Sequence, residues 1–187
     1  MKVVLTPMLL LFAAITTAQS KLPYYEIPKE EKEFTAGSVI SRMIDGLGFR
    51  YYWATEGLTE KDLEYKPSTE AKTTGETIDH VLSLSQVILN AALSKPNEKK
   101  QFKMTFGEKR KITLENLKRA SDILRSSDDV SQFKIIFGEK EFPLWNAING
   151  PIADAIWHAG QLASFRRASG NPINSKINHF TGGTVRK

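Results

Sequence analysis

No cysteine occurs anywhere in the 187 residues. That absence excludes disulfide staples, thiolate metal ligands, a cysteine nucleophile and the lipid-bearing cysteine of a bacterial lipoprotein. Histidine is scarce too, with three in the chain, so any imidazole chemistry must be drawn from His80, His158 and His179. No glycine-rich phosphate loop, Ser-His-Asp order or paired-carboxylate motif is found. Nor does any apolar run approach the roughly 20 residues that cross a bilayer. The net charge is a mild +5, with cations scattered over Lys95 to Lys118, Arg166-Arg167 and Arg186-Lys187. A nucleic-acid surface would gather them into a stripe interleaved with aromatics. A solvated basic surface is the better reading, and no nucleic-acid partner is expected.

What is present starts with an export signal. Met1-Lys2 is positive, Met8 to Ile15 is apolar, and Thr16-Thr17-Ala18 is small. That order predicts a secretory signal peptide over residues 1–18, cleaved after Ala18. The protein is therefore expected to be exported, periplasmic or secreted, with no stable membrane anchor once the signal is removed. The remainder is long enough for one domain with its own core. Residues 19–32 hold two prolines and no periodicity and read as an N-terminal arm. The domain is placed at residues 33–172, with a tail over 173–187.

Within the domain the periodicity is helical. Val39-Ile40, Met43-Ile44, Leu47, Tyr51 and Ala54 predict a first helix from about Glu33 to Glu56, weakened by Gly46 and Gly48 unless another segment packs closely there. Thr59 to Asp62 opens a short helical turn that Pro67 closes. Thr73-Thr74-Gly75-Glu76 has the form of a capping box and starts a second helix to about Leu93, apolar over a wide arc. Thr113 is expected to cap a third helix through Leu114, Leu117, Ala120 and Leu124. Pro151 in the first turn and Gly170 past the end bound a fourth. The fold class expected is mainly α, an up-down four-helix bundle. Residues 102–109 and 133–140 match at six of eight positions (Phe-Lys-x-x-Phe-Gly-Glu-Lys). Each reads as a strand entering a glycine turn, so one or two short hairpins are expected near 102–106 and 133–142.

Asp154 and His158 lie one turn apart on one face of the fourth helix, with Gln161 and Phe165 in the same arc. A carboxylate and an imidazole so spaced can chelate one ion, although a simple pair along a helix surface is the commoner outcome. His80 adds weight, because its row on the second helix continues through Leu84, Val87 and Ala91 and should face inward. Histidine and carboxylate donors on facing helices are how bundles build metal sites. His179, in the tail, is expected to be a solvent-exposed loop residue. Trp145 and Trp157 are expected in the core or a pocket wall. Arg166-Arg167 could hold an anion, although capping of the last helical turn is the simpler role.

At these residues the chain resembles a family. Thr74-Gly-Glu-Thr-Ile-Asp-His80 and Ile156-Trp-His-Ala-Gly-Gln-Leu-Ala-Ser-Phe-Arg-Arg167 are similar to the two signature regions of the DinB-like superfamily. Leu58 to Pro67 is similar to the segment between its first two helices. The resemblance extends over about residues 33–172 and implies a four-helix bundle with a divalent metal held by three histidines, one on the second helix and two on the fourth. His80 and His158 match the first and last of these. Asp154 stands where the family usually has histidine, giving two imidazoles and one carboxylate. Such a set suits Zn, Ni, Mn or Fe(II).

Two functions follow. One is a metal-dependent hydrolase acting on a small-molecule substrate, in which the ion activates water; the family's thiol-dependent transfer chemistry is less expected in an exported protein. The other is a non-catalytic binding or assembly module, a homodimer whose metal is structural or vestigial. A fourth protein ligand closing the site, such as Gln161 or Glu56, would favour the second.

Overall fold

The computed structural model describes residues 21–98 and 103–185; the signal peptide expected over 1–18 lies outside them. Helix α1 spans Ala36–Thr55, α2 Glu60–Glu64, α3 Thr74–Ala92, and α4 Phe106–Arg125. A hairpin of β1 (Lys134–Phe137) and β2 (Lys140–Pro143) leads into α5 (Trp145–Ala147) and α6 (Ala153–Ala168), and the tail forms β3 (Ile177–Asn178) and β4 (Gly183–Thr184). Both strand pairs are antiparallel. The protein is mainly helical, with two small strand pairs.

Three of the long helices begin the same way. At Thr35, Thr73 and Thr105 the threonine hydroxyl accepts from the backbone N–H three residues on, while Ser38, Glu76 and Glu108 reach back to the threonine N–H. Each box satisfies two of the amides that a helix start leaves without partners. The box at Thr105 overturns two expectations. Residues 103–105 form no strand, and Thr113 caps nothing; it is buried mid-helix, with its hydroxyl donating to the Lys109 carbonyl at 2.8 Å. The hairpin expected near 133–142 is present, with Lys134 opposite Pro143 and Phe137 opposite Lys140. Before α6 the chain makes a wide turn, Ile148–Ile152, broken at Gly150 (φ −89°, ψ −114°) and followed by Pro151. Beyond α6, Gly170 adopts the left-handed conformation (φ 96°) that glycine supplies at a helix end.

Cross-helix pairs give the directions. Ser41 bonds to Ser121, and Arg110 to Thr55, so α1 and α4 are antiparallel. Lys109 pairs with Asp79 at 2.6 Å and Asn116 with Ser85 at 3.2 Å, so α3 and α4 run the same way. An alternating up-down order would make them opposed. The segment between α3 and α4 must therefore return along the molecule, and Asn97 is fixed to β1 on the way by its N–H bond to the Ile136 carbonyl. Helices α1 and α3 each pack against both α4 and α6, which leaves α3 and α6 sharing one seam.

Helix α1 is the buried centre. Ile44, Leu47, Phe49 and Tyr51 are fully enclosed, and Tyr52, Trp53 and Ala54 nearly so. A helix buried almost all round in its second half needs cover from several directions, and the arm and tail complete it. Tyr24, held at φ 71°, lays its ring over Gly48 and donates its hydroxyl to Asp45 at 3.1 Å. Asp45 also accepts from Ser121 and from Arg125, which reaches Glu31 of the arm at 2.8 Å. Trp53 donates to the Tyr25 carbonyl, and Ile27 bonds to Gly182 of the tail.

A second polar knot closes the C-terminal end of α1. The buried Asp62 carboxylate accepts from the Ser169 hydroxyl, from Asn171 at 2.8 Å and from the Thr59 hydroxyl and amide at 2.8 and 2.9 Å. It ties α2 to the end of α6. Burial alone would raise the carboxyl pKa, but the Ser169, Thr59 and Asn171 hydrogen bonds outweigh it and hold the group well below the usual carboxylate range.

Two predictions follow from this packing. A Cβ at Gly48 would overlap the Tyr24 ring, whereas at Gly46 it meets only the flexible end of Arg50. Gly46→Ala should stabilise the fold by up to about 1 kcal/mol, and Gly48→Ala should destabilise it by about 1–3 kcal/mol, both read from urea midpoints. Opposite signs are the signature; equal shifts would contradict the placement of Tyr24. Asp62→Ala should lower stability by about 2–3 kcal/mol near neutral pH. Because the folded pKa is depressed, that contribution is complete above the unfolded-state value of about 3.9 and is lost as pH falls through and below it. The gap between variant and wild type should narrow on acidification, and a gap that stays constant would show that the charge is not what matters.

Candidate metal centre

Helix α3 begins at its capping box and presents His80 toward α6, where Asp154 sits in the first turn and His158 one turn later. The seam that α3 and α6 share brings these three together from 74 residues apart in sequence. His80 Nε2 lies 3.2 Å from Asp154 Oδ2, and His158 Nε2 lies 3.3 Å from Asp154 Oδ1. The two rings meet edge to face, with centroids 4.6 Å apart. One donor atom from each residue falls within 4.8 Å of the others, so the group can hold a metal ion.

The chemistry of the donors fits a cation. His158 Nδ1 is 2.7 Å from Gln161 Oε1. If that nitrogen carries the proton, Nε2 presents a lone pair to a carboxylate oxygen that also presents lone pairs, and only a shared positive charge makes the arrangement favourable. Nitrogen and oxygen ligands at about 2.0–2.2 Å from one ion stand roughly 3.0–3.4 Å from each other when they are neighbours in its shell. The two contacts to Asp154 fall in that range. Side-chain exposure rises from 16 % at His158 to 32 % at His80 and 45 % at Asp154, so solvent reaches the group from the carboxylate side.

The residues that could have closed the site are occupied elsewhere. Glu56 pairs with Arg110, whose guanidinium also bonds Thr55 at 3.0 Å and lies over the Tyr52 ring. Gln161 is spent on His158. His179 is exposed in the turn between β3 and β4, as expected; its ring also packs edge to face on Phe49 at 5.7 Å, and partial burial and the nearby Arg50 charge lower its pKa. Trp145 and Trp157 depart from expectation. They are 74 % and 72 % exposed, and Trp157, beside His158, is a solvent-facing aromatic at the edge of the candidate centre. An apolar residue type predicts burial only on average, and the sequence offered no signal for these two.

Arg166 is no anion receptor. It is buried, donates to the Trp53 carbonyl at 2.7 Å and to Asn171 at 2.6 and 3.0 Å, and so belongs to the Asp62 knot. Burial lowers its pKa, opposed by the Asp62 and Glu56 charges. Arg167 is exposed.

Comparison of the chain with protein-family models, with curated proteins and with solved structures finds no match. Among the described residues, no helix is long and apolar enough to cross a membrane.

The contrast between the two arginines is testable by chemical denaturation. Arg166→Met should cost about 3 kcal/mol or more, because it strands buried acceptors and the Asp62 charge. Arg167→Ala should change stability by no more than about 0.5 kcal/mol. Similar small effects for both would return Arg166 to the list of ligand-binding candidates.

Proposed function

We infer that this protein is an exported, DinB-like, metal-dependent hydrolase, its long helices forming a four-helix bundle of that family's type. The observation that carries the reading is the open side of the His80–Asp154–His158 group. Three protein donors converge, and the two residues that the sequence suggested as a fourth ligand, Glu56 and Gln161, are committed to Arg110 and His158. A site with three protein ligands and solvent access is the catalytic kind, whereas structural sites are closed by a fourth.

In this reading His80 and His158 supply neutral nitrogen donors, and Asp154 supplies an oxygen donor with one negative charge. A divalent ion held there supplies Lewis acidity and lowers the pKa of a water it binds. Nitrogen and carboxylate donors admit Zn, Ni, Mn or Fe(II). Helices α3 and α6 fix the three side chains on rigid elements, and the exposed Asp154 side leaves room for a small-molecule substrate to approach.

Protein purified without a histidine tag and assayed for metals should contain close to one equivalent of a divalent ion. Asp154→Ala and His158→Ala should each lose it, while retaining the wild-type circular dichroism spectrum. On a panel of esters, amides and phosphoesters with Zn, Ni, Mn or Fe(II) added, only wild type should show turnover above background. Metal content at trace level in wild type, even after incubation with each ion, would remove the metal reading; bound metal with background rates throughout would leave the assembly module.

A further inference from the structure

Among the described residues, one side-chain hydrogen bond of a candidate ligand leads outside the cluster. His158 Nδ1 stands 2.7 Å from Gln161 Oε1, one turn further along α6. A neutral imidazole carries a single proton, and whichever nitrogen holds it cannot donate a lone pair to a metal. An acceptor fixed on Nδ1 places the proton there and leaves Nε2, the nitrogen nearest Asp154 and on the side of His80, with its lone pair free. We propose that Gln161 is a positioning residue for this centre: it selects the Nδ1–H tautomer of His158 and fixes the ring so that Nε2 faces Asp154 and His80. This rests on the metal reading above for its purpose, although not for its geometry.

The arrangement has internal economy. Both residues lie on α6, so the bond forms within one helical turn and does not depend on how α3 docks. Gln161 is half-buried and uncharged, so it orients the imidazole without adding a second negative charge beside Asp154. The opposite orientation of the amide, with its NH2 group toward Nδ1, would reverse the outcome. His158 would then carry its proton on Nε2 and donate it to Asp154, and its ring would have no lone pair to offer an ion shared with Asp154 and His80. The two orientations give opposite tautomers, and the tautomer can be measured.

The experiment uses the full mature chain, 15N-labelled at histidine and metal-free, at a pH where the imidazoles are neutral. Two-bond 1H–15N correlation should show wild-type His158 predominantly protonated on Nδ1, and Gln161→Leu should shift it to a mixture or to Nε2–H. Gln161→Glu, which keeps an acceptor in place, should retain the wild-type tautomer. Titration of the same proteins with Zn or Co(II) should show Gln161→Leu binding about 10–100-fold more weakly than wild type, with Gln161→Glu within a few-fold. An Nε2–H tautomer in wild type, or a Leu variant unchanged in tautomer and affinity, would overturn the assignment. If wild type takes up neither ion, the metal reading fails by itself, and the tautomer still decides the role of Gln161.

Discussion

The enclosure of α1 is the constraint from which the rest follows. Consecutive residues from Leu47 to Thr55 are buried with little interruption, so one flanking pair of helices cannot cover it. Helices α4 and α6 take two sides, and the arm and tail take the remainder, with Tyr24 over Gly48 and His179 against Phe49. That leaves α3 to close the group from the far side of α4 and α6. The α3–α6 seam is then far less covered than α1, and it is where the three candidate ligands meet.

Polar knots settle the geometry that apolar packing leaves open. Apolar burial is non-directional, and an aliphatic core tolerates sliding. A buried carboxylate does not, because each oxygen must find donors in fixed places or pay for its desolvation. Asp45 draws Tyr24, Ser121 and Arg125 together midway along α1, and Asp62 draws Ser169, Asn171 and Thr59 together beyond its C-terminal end. The second knot fixes the end of α6 against α1 and α2. The same helix carries Asp154 and His158, so its placement along α3 bears directly on whether His80 can reach them.

Much of this was legible in the sequence, and the misses have physical causes. The capping box at Thr73 located α3 to within a residue, since a Thr-x-x-Glu before an apolar run satisfies amides locally and needs no tertiary context. The same signal at Thr105 and Glu108 was hidden behind a repeat. Phe-Gly-Glu-Lys occurs at 106–109 and again at 137–140, and one copy is the first turn of α4 while the other is a hairpin turn with Gly138 at φ 59°. Thr105 before the first copy offers a cap, and Ile135-Ile136 before the second offers a strand. The neighbours decide, as expected where intrinsic propensity is a weak prior. The parallel sense of α3 and α4 could not be read, because periodicity describes one helix at a time and says nothing of its neighbour's direction. Of the site, the three residues that converge were named from the sequence, since a helical row and a one-turn spacing fix the face on which a residue lies. Which second partner each would choose, as with Gln161 and Glu56, depends on contacts across helices that spacing does not encode.

The position of Asp154 bears on why a carboxylate can stand where the resemblance leads one to expect histidine. It occupies the first turn of α6, just after a break at Gly150 and Pro151 interrupts the preceding helical turns. The positive end of the helix dipole favours a negative side chain in the first turn by roughly 0.3–1 kcal/mol, and a neutral imidazole gains nothing comparable there. A carboxylate also has two oxygens, and here each faces a different imidazole, Oδ2 toward His80 and Oδ1 toward His158. One residue thus faces both imidazoles, which a single ring could do only by turning both nitrogens to the cluster. A carboxylate at this position therefore allows the convergence with both imidazoles and brings one negative charge that a neutral ring would not.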